Sequence, residues 1–248
     1  MSPPVFLVAP QVLDSVAGGR IVLDGAEGRH AVTVRRLRVG EPVELVDGAG
    51  TRAHGVVAEV AGRDQLTVEV GRVHHEPPPQ PRVVVVQALP KGDRGETAVE
   101  TLTEVGADVI VPWAAARSVA RWDVQRAERG LARWRASARE ASKQARRARV
   151  PEVTGVASTA EVDQLLRSAR LGLVLHESAA LRLAAMRLPE AGDVVIVVGP
   201  EGGIDDDELA GFVAAGGLAV RLGPTVLRTS TAGTAAAAVV LAATGRWT

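Results

Sequence analysis

The sequence predicts an α/β protein: a domain built on a largely parallel sheet, preceded by a smaller β-barrel domain. Three observations carry this. Short apolar-alternating runs with Asp-Gly turns fill residues 1–73, a proline-rich stretch occupies 74–81, and beyond it five apolar runs alternate with helical stretches. Buried strands alternating with helices indicate a parallel sheet covered by helices.

Taken in order, the runs RIVLDG, EPVELVDGAG, AHGVVAEV and QLTVEVGRV, with Asp-Gly at 24–25 and 47–48, predict hairpins of a small barrel. A helical turn is expected to interrupt them around residues 30–37. HHEPPPQP, 74–81, reads as a stiff, exposed connector, so the expected boundaries are 1–73, 74–81 and 82–248. The strands of the second domain are read at VVVVQAL (83–89), DVIVPWA (108–114), LGLVLHE (171–177), DVVIVVG (193–199) and LAVRLG (218–223). Residues 123–147 read as one long helix, with Val124, Ala127, Leu131, Trp134, Ala138, Ala141 and Ala145 on its apolar face. The segment RTSTAGTAAAAVVLAAT offers Thr229, Ser230 and Thr231 as N-caps of an alanine-rich helix. Gly233 and the alanines there would admit another backbone closely, either from the sheet or from a second copy.

Composition removes several classes. With no cysteine, disulfides and thiolate metal sites are excluded, and five scattered histidines show no ligand spacing, so no metal is expected. No segment approaches about 18 continuous apolar residues, and the N-terminus lacks a basic region followed by an apolar run. A soluble, cytoplasmic protein without a membrane partner is expected. The net charge of zero hides an asymmetry: residues 117–149 hold eleven Lys or Arg against three acids, and RHAVTVRRLR at 29–38 adds four Arg and one His. A basic face of this kind suits a polyanion.

The stretch VVIVVGPEGGIDDDE, 194–208, runs from a buried strand into glycines and then acids. It has neither the Gly-Lys-Ser/Thr ending of a phosphate loop nor a dinucleotide fingerprint. The acids suit a helix N-terminus but would repel phosphate, which leaves a neutral or cationic ligand or a plain turn. Polar or glycine-containing sequences end three of the strands: LHES (175–178), GPEGG (199–203) and LGPTVLRTSTAG (222–233). If those strands are neighbours, their ends form one pocket.

The chain resembles the RsmE-type methyltransferases of the SPOUT superfamily, which methylate N3 of a uridine in 16S ribosomal RNA. The resemblance rests on KGDR (91–94), TEVGA (103–107), RW (133–134), EASKQARR (140–147), VP (150–151), GPEGG and LGPTVLRTSTA (222–232). RHAVTVRRLRVGEPVEL (29–45) is similar to that family's PUA-like barrel. The resemblance implies a deep C-terminal trefoil knot, a homodimer and bound S-adenosyl-L-methionine (AdoMet). It places the cofactor on loops matching Leu175, His176, Gly199, Pro200, Gly202, Gly203, Leu222, Gly223 and Leu227. Arg228 would stabilise the anion formed on the base, and Glu201 would orient a ligand or fix its own loop. Ser230 stands where many relatives carry Glu, so the role of that Glu does not transfer.

For RNA, the candidates are Arg29, Arg35, Arg36 and Arg38 on the barrel and Arg139, Lys143, Arg146 and Arg147 on the long helix, all as phosphate contacts. Two rival readings stand: a SPOUT enzyme acting on another RNA base or on tRNA, and a non-catalytic RNA-binding ribosome assembly factor.

Overall fold

The computed structural model describes residues 2–13 and 18–247, and the chain divides into two compact units. One comprises the chain up to Pro78 together with Ser142–Val150; the other comprises Pro79–Ala141 and the chain from Pro151 onward.

In the first unit, strands β1 (Val5–Leu7), β2 (Arg20–Leu23), β3 (Pro42–Val46), β4 (Thr51–Ala61) and β5 (Gln65–His75) lie in the order β1-β3-β4-β5-β2. The short helices α1 (Pro10–Leu13) and α2 (Gly25–Arg29) accompany them, and a π-helical turn covers His30–Val34. The sheet curls into a half-barrel, the form that the expected small PUA-like barrel takes in this chain. Register shifts at His54/Gly55 and Val57/Glu59 bend the long β4–β5 hairpin, as bulges do. Period-two alternation turns Leu66, Val68 and Val70 inward against Phe6, Ile21 and Leu45.

Asp47-Gly48 makes the predicted hairpin, its carboxylate accepting the N–H of Ala49 (2.7 Å) and Thr51 (2.9 Å). Asp24-Gly25 does not. Asp24 takes the N-cap position of α2, and Glu27 in its first turn accepts the Leu7 N–H at 3.3 Å. No alternating apolar run follows Gly25 to pair as a second strand, so the chain turns helical instead. Ser142–Val150 adds to this unit through Ala148, which packs with Val5, Leu7 and Val46, and through the Val150 N–H to Gly48 O bond of 3.0 Å.

The second unit is a seven-stranded sheet of β6 (Arg82–Ala88), β7 (Val109–Trp113), β8 (Glu152–Val153), β9 (Leu171–Leu175), β10 (Leu181–Arg182), β11 (Asp193–Val198) and β12 (Gly217–Arg221). The order is β10-β12-β9-β11-β6-β7-β8, and every neighbouring pair is parallel. Helices are α3 (Arg94–Val105), α4 (Val124–Gln144, its last turn in the first unit), α5 (Thr159–Ser168), α6 (Asp206–Ala214) and α7 (Thr229–Ala243). Val84, Val86, Val195 and Val197 share a core with Val162 and Leu166 of α5 and Phe212 of α6. On the opposite pleat, Val85 and Val198 meet α7 at Gly233, where an added Cβ would lie 3.2–3.4 Å from Val198, Val85 and Leu102. Gly233 therefore serves packing onto the sheet. Burying each such Val or Phe contributes about 1.5–3 kcal/mol.

The long helix keeps Trp134, Ala138 and Ala141 buried, but Val124 is 79% exposed, so the apolar face starts later than its spacing suggests. Among the described residues, no helix is long and apolar enough to cross a membrane, and no group of His, Asp and Glu could hold a metal ion.

Candidate functional site

Strands β9, β11 and β12 are adjacent in the order β12-β9-β11, so the three loops at their carboxyl ends converge. They line a cavity of about 380 Å³ with Leu175, His176 and Glu177 from the first, Gly199, Pro200, Glu201 and Gly203 from the second, and Leu222, Gly223, Thr225, Val226 and Leu227 from the third. Arg94, Arg221, Arg228 and Thr229 line it as well, as do Val198, Ile204, Val220 and Ala232. Eight of the nine residues expected to hold the cofactor line this cavity. The exception is Gly202, whose Cα instead faces Arg117, with an added Cβ 3.4 Å from that residue's Cβ and carbonyl oxygen.

The GPEGG loop is held from several sides. Gly203 has φ +74°, a conformation glycine adopts without strain, and its N–H closes a turn on Pro200 O at 3.0 Å. At Gly199 a Cβ would sit 2.7 Å from Ile204 Cγ1, so no larger residue fits unmoved. Glu201 accepts the Lys91 N–H and pairs with Arg94, each at 3.2 Å, tying GPEGG to KGDR. Arg117 pairs with Asp205 at 3.0 Å and donates to Ile204 O at 3.3 Å. Part of the acidic cluster is spent on a capping box: Asp205 accepts the Asp207 N–H at 3.1 Å, and the buried Glu208 accepts the Asp205 N–H at 3.4 Å. Glu208 also accepts from the Ala116 N–H and the Thr159 hydroxyl, each at 2.9 Å.

The start of α7 corrects the capping expectation. Arg228, not Thr229, Ser230 or Thr231, holds the N-cap position. Thr229 is buried, donating to Gly199 O at 2.6 Å and accepting from the fully buried Gln87 at 3.1 Å. Ser230 is buried as well. Gln87 is a residue the sequence reading missed, since its partner lies 142 positions away. Among the described residues, the exposed Arg228 guanidinium at the cavity has no hydrogen-bond or ion-pair partner. Nor, among the described residues, does the main chain of residues 223–227 make any hydrogen bond.

The expected RNA contacts divide. Arg29, Arg35, Arg36 and Arg38 are exposed, with side chains unpartnered among the described residues, and so is Arg139 in the other unit. Lys143 is a correction: only 9% exposed, its ammonium pairs with Glu27 at 2.9 Å, so it cannot reach a phosphate. Arg146 is half-buried and donates to Pro3 O at 2.6 Å; Arg147 is also half-buried.

Comparison with known proteins adds two family matches: an RNA methyltransferase domain over residues 76–241 and an RNA methyltransferase PUA domain over residues 23–71. The chain is 52% identical over 234 residues to the ribosomal RNA small subunit methyltransferase E of Mycobacterium tuberculosis (strain CDC 1551 / Oshkosh), covering 93% of this chain and 89% of that one. A methyltransferase of Legionella pneumophila, solved in complex with the cofactor SAM, superposes with a TM-score of 0.84 at 26% identity, covering 98% of each chain. The ribosomal RNA small subunit methyltransferase E of Neisseria gonorrhoeae, bound to S-adenosyl methionine, superposes with a TM-score of 0.83 at 26% identity, covering 97% of this chain and 98% of that one.

Proposed function

Since the chain belongs to the ribosomal RNA small subunit methyltransferase E family, we propose that it methylates N3 of a uridine in the 16S rRNA of the small ribosomal subunit, with AdoMet as methyl donor. The observation that carries this reading is the cavity at three adjacent strand ends, where the backbone N–H and C=O groups of one wall have no partner among the described residues. An adenine ring, with donors and acceptors on its edge, suits such a wall, and Leu175, Leu222 and Leu227 offer apolar surface to its faces. Glu177 and Glu201 line the cavity beside Arg94, Arg221 and Arg228, so both signs of charge are at hand for a ligand that carries a sulfonium and a carboxylate. The residues present therefore fit AdoMet, which when bound supplies an electrophilic methyl group on a sulfonium.

The chain's own work is positioning and charge control. The pinned GPEGG loop would fix one side of the site, so that the donor is oriented for the approach of the base, which supplies much of the rate. Loss of the N3 proton leaves negative charge on the uracil, and the Arg228 guanidinium at the cavity, unpartnered among the described residues, stabilises it. Glu201, committed to Lys91 and Arg94, fixes the loop and does not neutralise Arg228.

The half-barrel unit fits the RNA-docking role, with Arg29, Arg35, Arg36 and Arg38 on phosphates. The reading further includes a domain division at 1–73, 74–81 and 82–248, a trefoil knot around the cofactor loops, a homodimer and a cytoplasmic location. The test is transfer of labelled methyl from AdoMet to unmodified small subunits, followed by nucleoside analysis. Label in 3-methyluridine is expected; label in another nucleoside, or none with AdoMet bound, refutes the assignment.

A further inference from the structure

A second cavity, of about 300 Å³, lies beside the KGDR loop in the same unit, lined by Pro90, Gly92, Trp122 and the arginines 121, 126 and 133 among others. We infer that it is a stacking subsite for a nucleotide flanking the target uridine, with Trp122 as its platform. The inference rests on the RNA methyltransferase reading above and assigns to it a base-binding position.

Trp122 is held in a way that ordinary packing does not need. Its ring meets Trp134 edge to face, with centroids 5.6 Å apart at 75°, and Trp134 is only 1% exposed. Both indoles rest against glycines: a Cβ on Gly130 would come within 2.5 Å of the Trp122 ring, and one on Gly95 within 2.7 Å of Trp134 Nε1. A glycine inside a helix costs about 1 kcal/mol relative to alanine, yet Gly130 sits within α4 where only a bare Cα admits the indole. Trp134 is core. Trp122 remains half-exposed at the cavity, an aromatic surface braced by Trp134 and seated on Gly130.

The charges around it point to the ligand. Arg121, Arg126 and Arg133 line the cavity against one lining acid, Glu96, which Arg133 engages at 2.7 Å. Arg126 lies 3.5 Å from Asp123 in an exposed pair that solvent screens. A fixed aromatic face beside guanidinium groups is the combination that binds single-stranded nucleic acid, the ring taking a base and the cations its phosphate. Position connects the two cavities. Pro90 and Gly92 line this one, Arg94 lines the cofactor cavity, and the intervening Lys91 is bonded to Glu201. Residues 90–94 thus border both, so neighbouring nucleotides of one strand can occupy the two.

Binding of a short single-stranded RNA, followed by tryptophan fluorescence in a Trp247→Phe background, tests this. That background removes the other accessible indole, since Trp113 and Trp134 are buried and Trp247 is 55% exposed. RNA should quench the signal. Trp122→Leu, which fills the glycine seat without an aromatic face, should abolish the quench and weaken RNA binding and KM roughly 5- to 150-fold. AdoMet affinity should not change, and Trp122→Phe should stay within a few-fold of the parent. RNA binding and KM in Trp122→Leu equal to the parent would overturn the inference. So would conversion of a dimer to monomers by Trp122→Leu, which would assign the ring to an interface between copies. Failure of the parent to methylate ribosomal RNA would instead refute the enzymatic reading, while the oligonucleotide titration would still decide the stacking subsite.

Discussion

The two glycine-containing loops that line the cavity at the strand ends are built on opposite principles. GPEGG is tied at Glu201 to the KGDR loop and at Gly203 to its own turn, and the residues that follow it, Ile204 and Asp205, are tied to Arg117. In the other loop, the main chain of residues 223–227 makes no hydrogen bond among the described residues, and Val226 is 78% exposed. An unpaired backbone group costs little while water reaches it and becomes costly once a ligand excludes that water, unless the ligand pairs with it. The pinned loop therefore sets the shape of the site, and the open loop keeps its hydrogen-bonding capacity for an occupant.

The largest expected effect separates binding from chemistry at the end of the open loop. Arg228→Ala should lower turnover roughly 100- to 1,000-fold, as loss of a charge-stabilising donor does. AdoMet affinity by calorimetry should stay within a few-fold, and unchanged turnover would remove Arg228 from the mechanism. Next, Glu201→Ala should make the pinned loop resemble the open one. Losing the bonds to Lys91 and Arg94 should weaken AdoMet binding roughly tenfold. An unaltered affinity would mean that the tie to KGDR does not shape the cavity.

A smaller effect extends the contrast between committed and open groups to the cations of the half-barrel unit. Arg36→Ala should reduce the slope of log K for RNA against log salt by about 0.7–0.9. Lys143→Met should leave that slope unchanged while lowering thermal stability, because it strands Glu27. The smallest effect lies in the Asp47 turn. Burial alone would raise the pKa of this carboxyl, but hydrogen bonds from the Thr51 side chain and the N–H groups of Ala49, Thr51 and Gly50 outweigh it and hold the pKa below the ordinary value. Its folded pKa is lower than its unfolded one, so the contribution is complete above the ordinary carboxylate range and fades as pH falls through the folded value. Asp47→Asn should therefore show a shallower acid-induced loss of stability than the parent; matching acid transitions would contradict it.

These contrasts mark what the sequence made legible. Strand runs such as 193–199 and 171–177 were readable because valine and leucine runs bounded by turn residues are local signals, and all five expected strands of the second unit form. The cavity followed once β9, β11 and β12 proved adjacent, which periodicity cannot order. What stayed hidden depends on partners far along the chain. Glu201 meets Lys91 110 residues away, and Lys143 meets Glu27 116 residues away. A count of basic residues gave Lys143 and Arg36 equal weight, although one is buried in an ion pair and the other lies open. Trp122 went unread for a related reason: its platform exists only where Gly130 and Trp134 come together around it.

The central claim, that the open loop is the cofactor seat and the pinned loop its frame, is tested most directly by amide hydrogen exchange with and without AdoMet. The account predicts rapid exchange at residues 223, 225, 226 and 227 in the free protein and protection of at least some of them on binding, while the Gly203 amide is protected in both states. Saturating AdoMet that leaves all four amides exchanging freely would contradict it.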